Sequence, residues 1–260
     1  MGQNFLIDEE IIKKVIESAQ LSKNDIVLEI GPGIGNLTIE LAKKVKKLIA
    51  VEKDPTMVKI LRKTLTDFDN VKVIQDDILK IGNWELEIGN SYKVVANLPF
   101  YLTAPVIRKF LEMENRPKEM VLVVQKEVAQ RICAKPPEMS ILAVSVQFYA
   151  KPEIETFVSK KSFWPQPKVD GAIIKIIPKK LSTRPGSVDL FFKIVKAGFS
   201  QPRKQLINNL SKEFLPAGRQ GNLNREKVKD WLSKNNVQPN QRAETLTVEN
   251  WISLTKSFNV

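Results

Sequence analysis

The chain has 260 residues, 43% of them apolar, enough to bury a full core and to form one large and one small domain. It contains no histidine and a single cysteine, Cys133, which excludes a Ser-His-Asp or Cys-His triad, a structural zinc site and an internal disulfide. The net charge of +12 is unevenly placed: residues 1–170 carry 25 Lys or Arg against 23 Asp or Glu, and residues 171–260 carry 16 against 6. A nearly neutral large part joined to a strongly basic smaller one points to a polyanionic partner, most simply nucleic acid. No apolar run approaches the roughly 20 residues that span a bilayer, and MGQNFLIDEE lacks the basic and apolar regions of a secretory signal. The expected location is a reducing cytoplasm.

In chain order, residues 8–19 place Ile11, Ile12, Val15, Ile16 and Ala19 on one helical face, with Asp8, Glu9 and Glu10 at its start. Short Val/Ile-rich runs follow at 26–30, 48–51, 71–74 and 94–96, separated by helix-like stretches such as 37–45 and 57–65. Strands alternating with helices imply βαβ units and a parallel sheet covered on both faces. A fifth strand is expected at 120–124, with a helix from Lys126. Residues 154–158 and 172–177 read as strands with no long helix between them, an antiparallel pair at the sheet edge. The segment IIPKKLSTRPGS reads as a linker, which places a domain boundary near residue 180. Beyond it the pattern is helical at 190–199, 204–214, 225–232 and 248–258, with a glycine-containing loop at 216–221.

Chemistry concentrates at the strand ends. VLEIGPGIGNLT runs from a strand through Gly31, Gly33 and Gly35 into a helix, and glycines allow a sharp turn and close approach of the backbone to a ligand. A dinucleotide loop prefers G-x-G-x-x-G. Here the spacing is G-x-G-x-G with Glu29 just before it, an acid that disfavours a phosphate and suits a cationic ligand such as S-adenosylmethionine. Glu52 closes the next strand, where a carboxylate can accept both hydroxyls of a ribose, and Asp77 follows the third, where it can accept from an adenine amino group. Each acid alone also reads as a solvated strand end or a helix cap. Three of them at successive strand ends beside a glycine loop favour the cofactor reading.

ANLPFY follows the fourth strand. As bare structure it is a strand-ending turn. As chemistry it supplies two acceptors, the Asn97 side-chain oxygen and the Leu98 carbonyl, for the two hydrogens of an exocyclic adenine amine. Holding both turns the nitrogen towards tetrahedral geometry and aims its lone pair. Pro99 fixes the backbone that presents the carbonyl, and Phe100 can stack on the base. The product ammonium is acidic enough to lose its proton to water, so the reaction needs no histidine.

Taken together, QNFL (3–6), EIGPGIGNLT, NLPF, QKEVAQR (125–131), FWPQPKVDGA, FSQPRKQLINNL (199–210) and RAETL (242–246) resemble, in family order, the KsgA-type ribosomal RNA adenine dimethyltransferases. The resemblance implies a Rossmann-like class I methyltransferase fold with an antiparallel edge hairpin, residues 1–180, and a small basic α-helical RNA-binding domain, residues 181–260. It implies cofactor contacts from Asn4, Leu6, Gly31, Glu52, Asp77 and Asn97, to which Gly33 and Gly35 of the loop are added. It also implies a target-base site at Asn97, Leu98 and Phe100, and double methylation of two adjacent adenines near the 3′ end of small-subunit rRNA. Phe163 is expected either to cover the other face of the base or to anchor its loop. Arg203 and Lys204 are candidate phosphate contacts. The expected partner is small-subunit rRNA within a pre-30S particle, with no membrane and no metal, and the expected state is a monomer. Phe100 replaces the commoner Tyr, and Pro202 interrupts the usual Q-R-R-K. A large-subunit enzyme of the Erm resistance type and a non-catalytic RNA-binding assembly factor are the alternative readings.

Overall fold

The structure is a computed structural model and describes residues 4–81, 88–89, 91–180, 187–214 and 221–258. Residues 181–186 of the IIPKKLSTRPGS linker and residues 216–220 of the 216–221 loop therefore lie outside the described residues. The chain divides into two compact units, residues 1–130 with 149–179 and residues 131–148 with 180–260.

In the first unit a seven-stranded sheet forms the centre. Its strands are β2 (Ile26–Ile30), β3 (Lys47–Glu52), β4 (Val71–Gln75), β5 (Lys93–Asn97), β6 (Met120–Gln125), β7 (Ala150–Val158) and β9 (Gly171–Pro178), in spatial order β4-β3-β2-β5-β6-β9-β7. The five strands from β4 to β6 are parallel, and β9 and β7 close the edge antiparallel, as the two Val/Ile runs without an intervening helix predict. A separate two-residue ladder pairs β1 (Phe5–Leu6) with β8 (Phe163–Trp164). β2, β3, β5 and β6 are buried almost throughout, which explains their unbroken Val/Ile/Leu composition.

Local sequence starts the helices as expected. Asp8 caps α1 (Glu9–Ser18) by accepting from the Glu10 and Ile11 amides, and Ile11, Ile12 and Val15 face the core. Asp54 caps α3 (Pro55–Thr64), with Pro55 in the first turn, where no amide is needed. Between them α2 (Asn36–Ala42) opens directly from Gly35, whose φ is +94°. Two helices were not evident from the pattern. α4 (Thr103–Glu112) begins T-A-P immediately after a turn, yet Pro105 sits in the first turn and Val106, Ile107, Phe110 and Leu111 are buried. α5 (Lys126–Ile132) follows β6 as expected. α6 (Ile141–Tyr149) is too uniformly apolar to show a helical period.

At the amino ends of the strands, Lys93 pairs with Glu119 at 3.0 Å and Asp25 at 3.5 Å, and Lys175 meets the other Glu119 oxygen at 3.1 Å. The carboxyl ends are left for chemistry.

The second unit holds α6, α7 (Ser187–Gly198), α8 (Leu206–Phe214), α9 (Gly221–Lys234) and α10 (Val248–Lys256). Phe148 of α6 stacks on Phe191 of α7 with ring centroids 4.1 Å apart. Thr247 and Asn250 form a reciprocal capping box at the start of α10. Trp251 is fully buried against Gly198, where an added Cβ would stand 2.4 Å from the indole. Gly198→Ala should therefore destabilise the protein by about 1–3 kcal/mol through overpacking, read as a lower urea midpoint with an unchanged slope. A midpoint equal to wild type would show that the indole can move aside.

Candidate active site

Strand order reverses between β2 and β5: the chain leaves β2 for β3 and β4 on one side and returns to β5 on the other. Open α/β sheets bind ligands outside the carboxyl ends of strands at such a point. The glycine loop leaves β2 and the NLPF segment leaves β5, and Glu29 is paired with Val95 across the two strands, so the topology brings both motifs to one place.

The loop is built by its own backbone. Gly31, Gly33 and Gly35 have φ values of +65°, +61° and +94°, which only glycine adopts freely. The Gly31 amide donates to the Val51 carbonyl at 2.9 Å, and the Gly33 amide to Glu52 Oε2 at 3.1 Å. Glu52 takes the Asp54 amide on its other oxygen at 2.9 Å and is only 4% exposed. A carboxylate has about four lone-pair positions, so two amides fix it and leave capacity for further donors.

Asp77 accepts from the Leu79 amide at 3.0 Å and from Lys53 Nζ at 3.1 Å. The amide first, and then the ammonium, hold its carboxyl below the usual carboxylate range. Glu52 and Gln75 are partners in the β3–β4 ladder, so Glu52 and the segment carrying Asp77 continue the row of strand ends begun by the glycine loop.

Glu29 differs from both. It is 1% exposed, its Oε2 has no hydrogen-bond partner, and burial pushes its pKa to about 8. The Thr38 hydroxyl beside it opposes the shift, and the Glu52 carboxylate adds to it. The Glu52 carboxylate, set against a cradle without Cβ atoms, disfavours a pyrophosphate and suits a donor bearing ammonium and sulfonium charges. The residues present therefore fit S-adenosylmethionine.

On the β5 side, the Leu98 amide donates to Val123 O at 3.1 Å, and the Leu102 amide closes a turn onto Pro99 O at 2.9 Å. Leu98 is buried, Phe100 half-buried and Tyr101 exposed. The Asn97 side chain donates through Nδ2 to the Asn4 carbonyl at 2.9 Å. This contact, 93 residues apart in sequence, ties the amino-terminal strap to the turn.

The strap is held along its length. Asn36 Nδ2 donates to Leu6 O at 3.0 Å, the Ile7 amide to Ser162 O at 3.0 Å, and the Ser162 hydroxyl to Asp8 Oδ2 at 2.7 Å. Asn36 and Ser162 are contributors that the motif reading did not single out. Asn36 directly follows the glycine loop, which is the one sequence signal that could have found it.

Phe163 is 3% exposed and packs on Gly171, where an added Cβ would lie 3.3 Å from its ring; this burial favours the anchoring role over the base-covering one. Arg203 and Lys204 are exposed in the turn between α7 and α8. They belong to the second unit, whereas the other candidate residues belong to the first. Among the described residues there is no group of three or more His, Cys, Asp or Glu placed to hold a metal ion, and no helix long and apolar enough to cross a membrane.

Comparison with known proteins matches residues 1–254 to the family described as ribosomal RNA adenine dimethylase. A ribosomal RNA small subunit methyltransferase A from Clostridioides difficile (strain 630) is 40% identical over 100% of this chain and 90% of its own length. Among solved structures, a dimethyladenosine transferase from Plasmodium falciparum superposes with a TM-score of 0.81 at 27% identity, covering 96% of this chain and 95% of that one. The 23S rRNA methyltransferase ErmE superposes with a TM-score of 0.78 at 25% identity, covering 99% and 100%. The fold is that of the class I methyltransferases, and the chain belongs to the ribosomal RNA adenine dimethylase family.

Proposed function

We propose that the protein transfers methyl groups from S-adenosylmethionine to N6 of two adjacent adenines near the 3′ end of small-subunit rRNA, methylating each twice, within a pre-30S particle. The observation that carries the site assignment is the hydrogen bond from Asn97 Nδ2 to the Asn4 carbonyl. An amide has one donating and one accepting end. With the donor committed to Asn4, Oδ1 remains as the end that accepts from the target amine.

Gly31, Gly33, Gly35, Glu52 and Asp77, with Asn4 and Leu6 of the strap, are the residues that hold the cofactor. S-adenosylmethionine, when bound, supplies a methyl carbon made electrophilic by the adjoining sulfonium. Asn97 Oδ1 and the Leu98 carbonyl accept hydrogen bonds from the N6 hydrogens and so turn the nitrogen lone pair out of the ring conjugation; the proton is lost to water after methyl transfer. The Leu98 peptide is fixed by Val123, and Pro99 fixes the turn that follows. Phe100, half-buried, offers its ring to the base. An adenine within a duplex cannot reach such a site, so the substrate is unpaired or flipped. The basic second unit, with Arg203 and Lys204 exposed, supplies phosphate contacts. The likeness to both small- and large-subunit enzymes makes the 23S-type substrate the second reading.

Asn97→Ala should lower methyl transfer from labelled cofactor to purified small subunits by roughly 100-fold or more, in line with removal of one preorganised hydrogen-bonding group. Its thermal midpoint should stay close to wild type. Full activity in that variant would end the assignment, and product mapped only to large-subunit RNA would transfer it to the second reading. Arg203→Ala with Lys204→Ala should reduce the slope of log affinity against log salt by about 0.7 per lost contact with unpaired RNA; an unchanged slope would remove both residues from the interface.

Glu29 supplies a pH test. Its folded-state pKa of about 8 stands above the ordinary 4.5, so the folded chain binds a proton that the unfolded chain releases. Stability from this group is complete below about pH 4.5 and declines until about pH 8. Glu29→Gln should flatten that decline, a difference on the order of a few kcal/mol across the window, seen in denaturation midpoints against pH. Parallel curves for the two proteins would show that Glu29 titrates normally.

A further inference from the structure

The β1–β8 ladder carries two aromatic residues with opposite fates. Phe163 is 3% exposed, while its neighbour Trp164 is 63% exposed, because successive side chains in a strand point to opposite faces. Single exposed apolar residues are ordinary, but this one has a specific address. Trp164 is paired with Phe5, and the residues beside this pair are bonded in turn: Asn4 Nδ2 donates to Pro165 O, and the Asn4 carbonyl accepts from Asn97. Trp164 is therefore linked, through Pro165 and Asn4, by two hydrogen bonds to the side chain assigned to the target amine. A second exposed ring, Tyr101 at 62%, directly follows Phe100 at the same strand ends.

The residues flanking Trp164 in sequence carry the matching charge. Lys161 and Lys168 are exposed on either side of Trp164 in sequence, with Lys160 half-buried beside them. Asp170 is the one acid between residues 156 and 170, and it accepts the Lys160 amide at 3.0 Å. Farther along the carboxyl edge, Lys126 lies 5.1 Å from the centre of the half-exposed Phe157 ring. Rings interleaved with cations are how proteins hold unpaired nucleic acid without reading its sequence.

We propose that Trp164 is a stacking site for a nucleobase next to the target adenine, with Lys161 and Lys168 taking the adjoining phosphates. This inference rests on the RNA-methylating function given above. It adds a physical requirement of that function: an adenine drawn out of its stack leaves neighbours that lose stacking on one side, and an exposed indole replaces that contact. The ligand is single-stranded RNA, and stacking makes the site tolerant of which base is bound.

Trp164→Ala should raise KM for the RNA substrate about fivefold or more, the lower end expected when one base–aromatic stack is lost. Trp164→Phe should recover most of that loss, and calorimetric affinity for S-adenosylmethionine should be the same in all three proteins. Part of the tryptophan emission should be quenched by a short single-stranded RNA in the wild type, and this part should be missing in Trp164→Phe. Wild-type KM in Trp164→Ala, with the wild type active, would overturn the stacking site and leave the proposed function standing. Equal impairment by Ala and Phe, or cofactor affinity falling in step with RNA affinity, would also overturn it, because the residue would then act through the strap. A wild-type protein that transfers no methyl group to RNA would overturn the function itself, and this site with it.

Discussion

The reversal of strand order between β2 and β5 is the constraint from which the site follows. Two parallel strands paired side by side, with connections leaving in opposite directions, open a crevice that neither connection covers. The glycine loop and NLPF are 66 residues apart counted from Gly31 to Asn97, yet the pairing of Glu29 with Val95 sets their strands adjacent. β3 extends the row with Glu52, and β4 leads into Asp77, so these acids and acceptors stand at the carboxyl ends of four neighbouring strands. The ion pairs of Lys93 and Lys175 with Glu119 stitch the opposite end of the sheet, where no such opening is needed.

Electrostatics then choose the ligand class. A glycine loop before a helix ordinarily invites phosphate, because free amides and the helix dipole gather there. In this protein the Gly33 amide is already taken by Glu52, and Glu29 is buried beneath with one unpartnered oxygen. The same backbone device is thereby converted from an anion site to one that tolerates positive charge. Burial is the main cause of the raised pKa of Glu29, whose carboxyl, with one oxygen unpartnered, favours its protonated form.

The amino-terminal strap completes the site from outside the sheet. Phe5 and Leu6 pair with Phe163 and Trp164, and Asp8 serves two purposes, capping α1 with one oxygen and receiving Ser162 with the other. The Ser162 hydroxyl is the main reason its carboxyl sits below the ordinary range. Asn4 thus reaches Asn97 with its side chain held by the Pro165 carbonyl and the two residues after it held in the ladder. The strap brings residues of two motifs at distant points of the chain, QNFL and FWPQPKVDGA, side by side.

Much of this was legible in the residues alone. The Val/Ile runs fixed the parallel strands because a doubly covered sheet permits little else, and Asp8 marked the start of α1 because its side chain satisfies amides locally. The glycine spacing with Glu29, and the Asn97-Leu98-Pro99-Phe100 turn, pointed to a chemistry because backbone approach and paired acceptors depend on residue type. Other features depended on distant parts of the chain. α4 was obscured by Thr103 and Pro105 in its first turn, and α6 by an apolar run without a period. The donor end of the Asn97 amide, the burial of Phe163 beside an exposed Trp164, and the missing partner of Glu29 are long-range facts. Each is decided by which atoms of other strands arrive alongside, and no local pattern of residues records that.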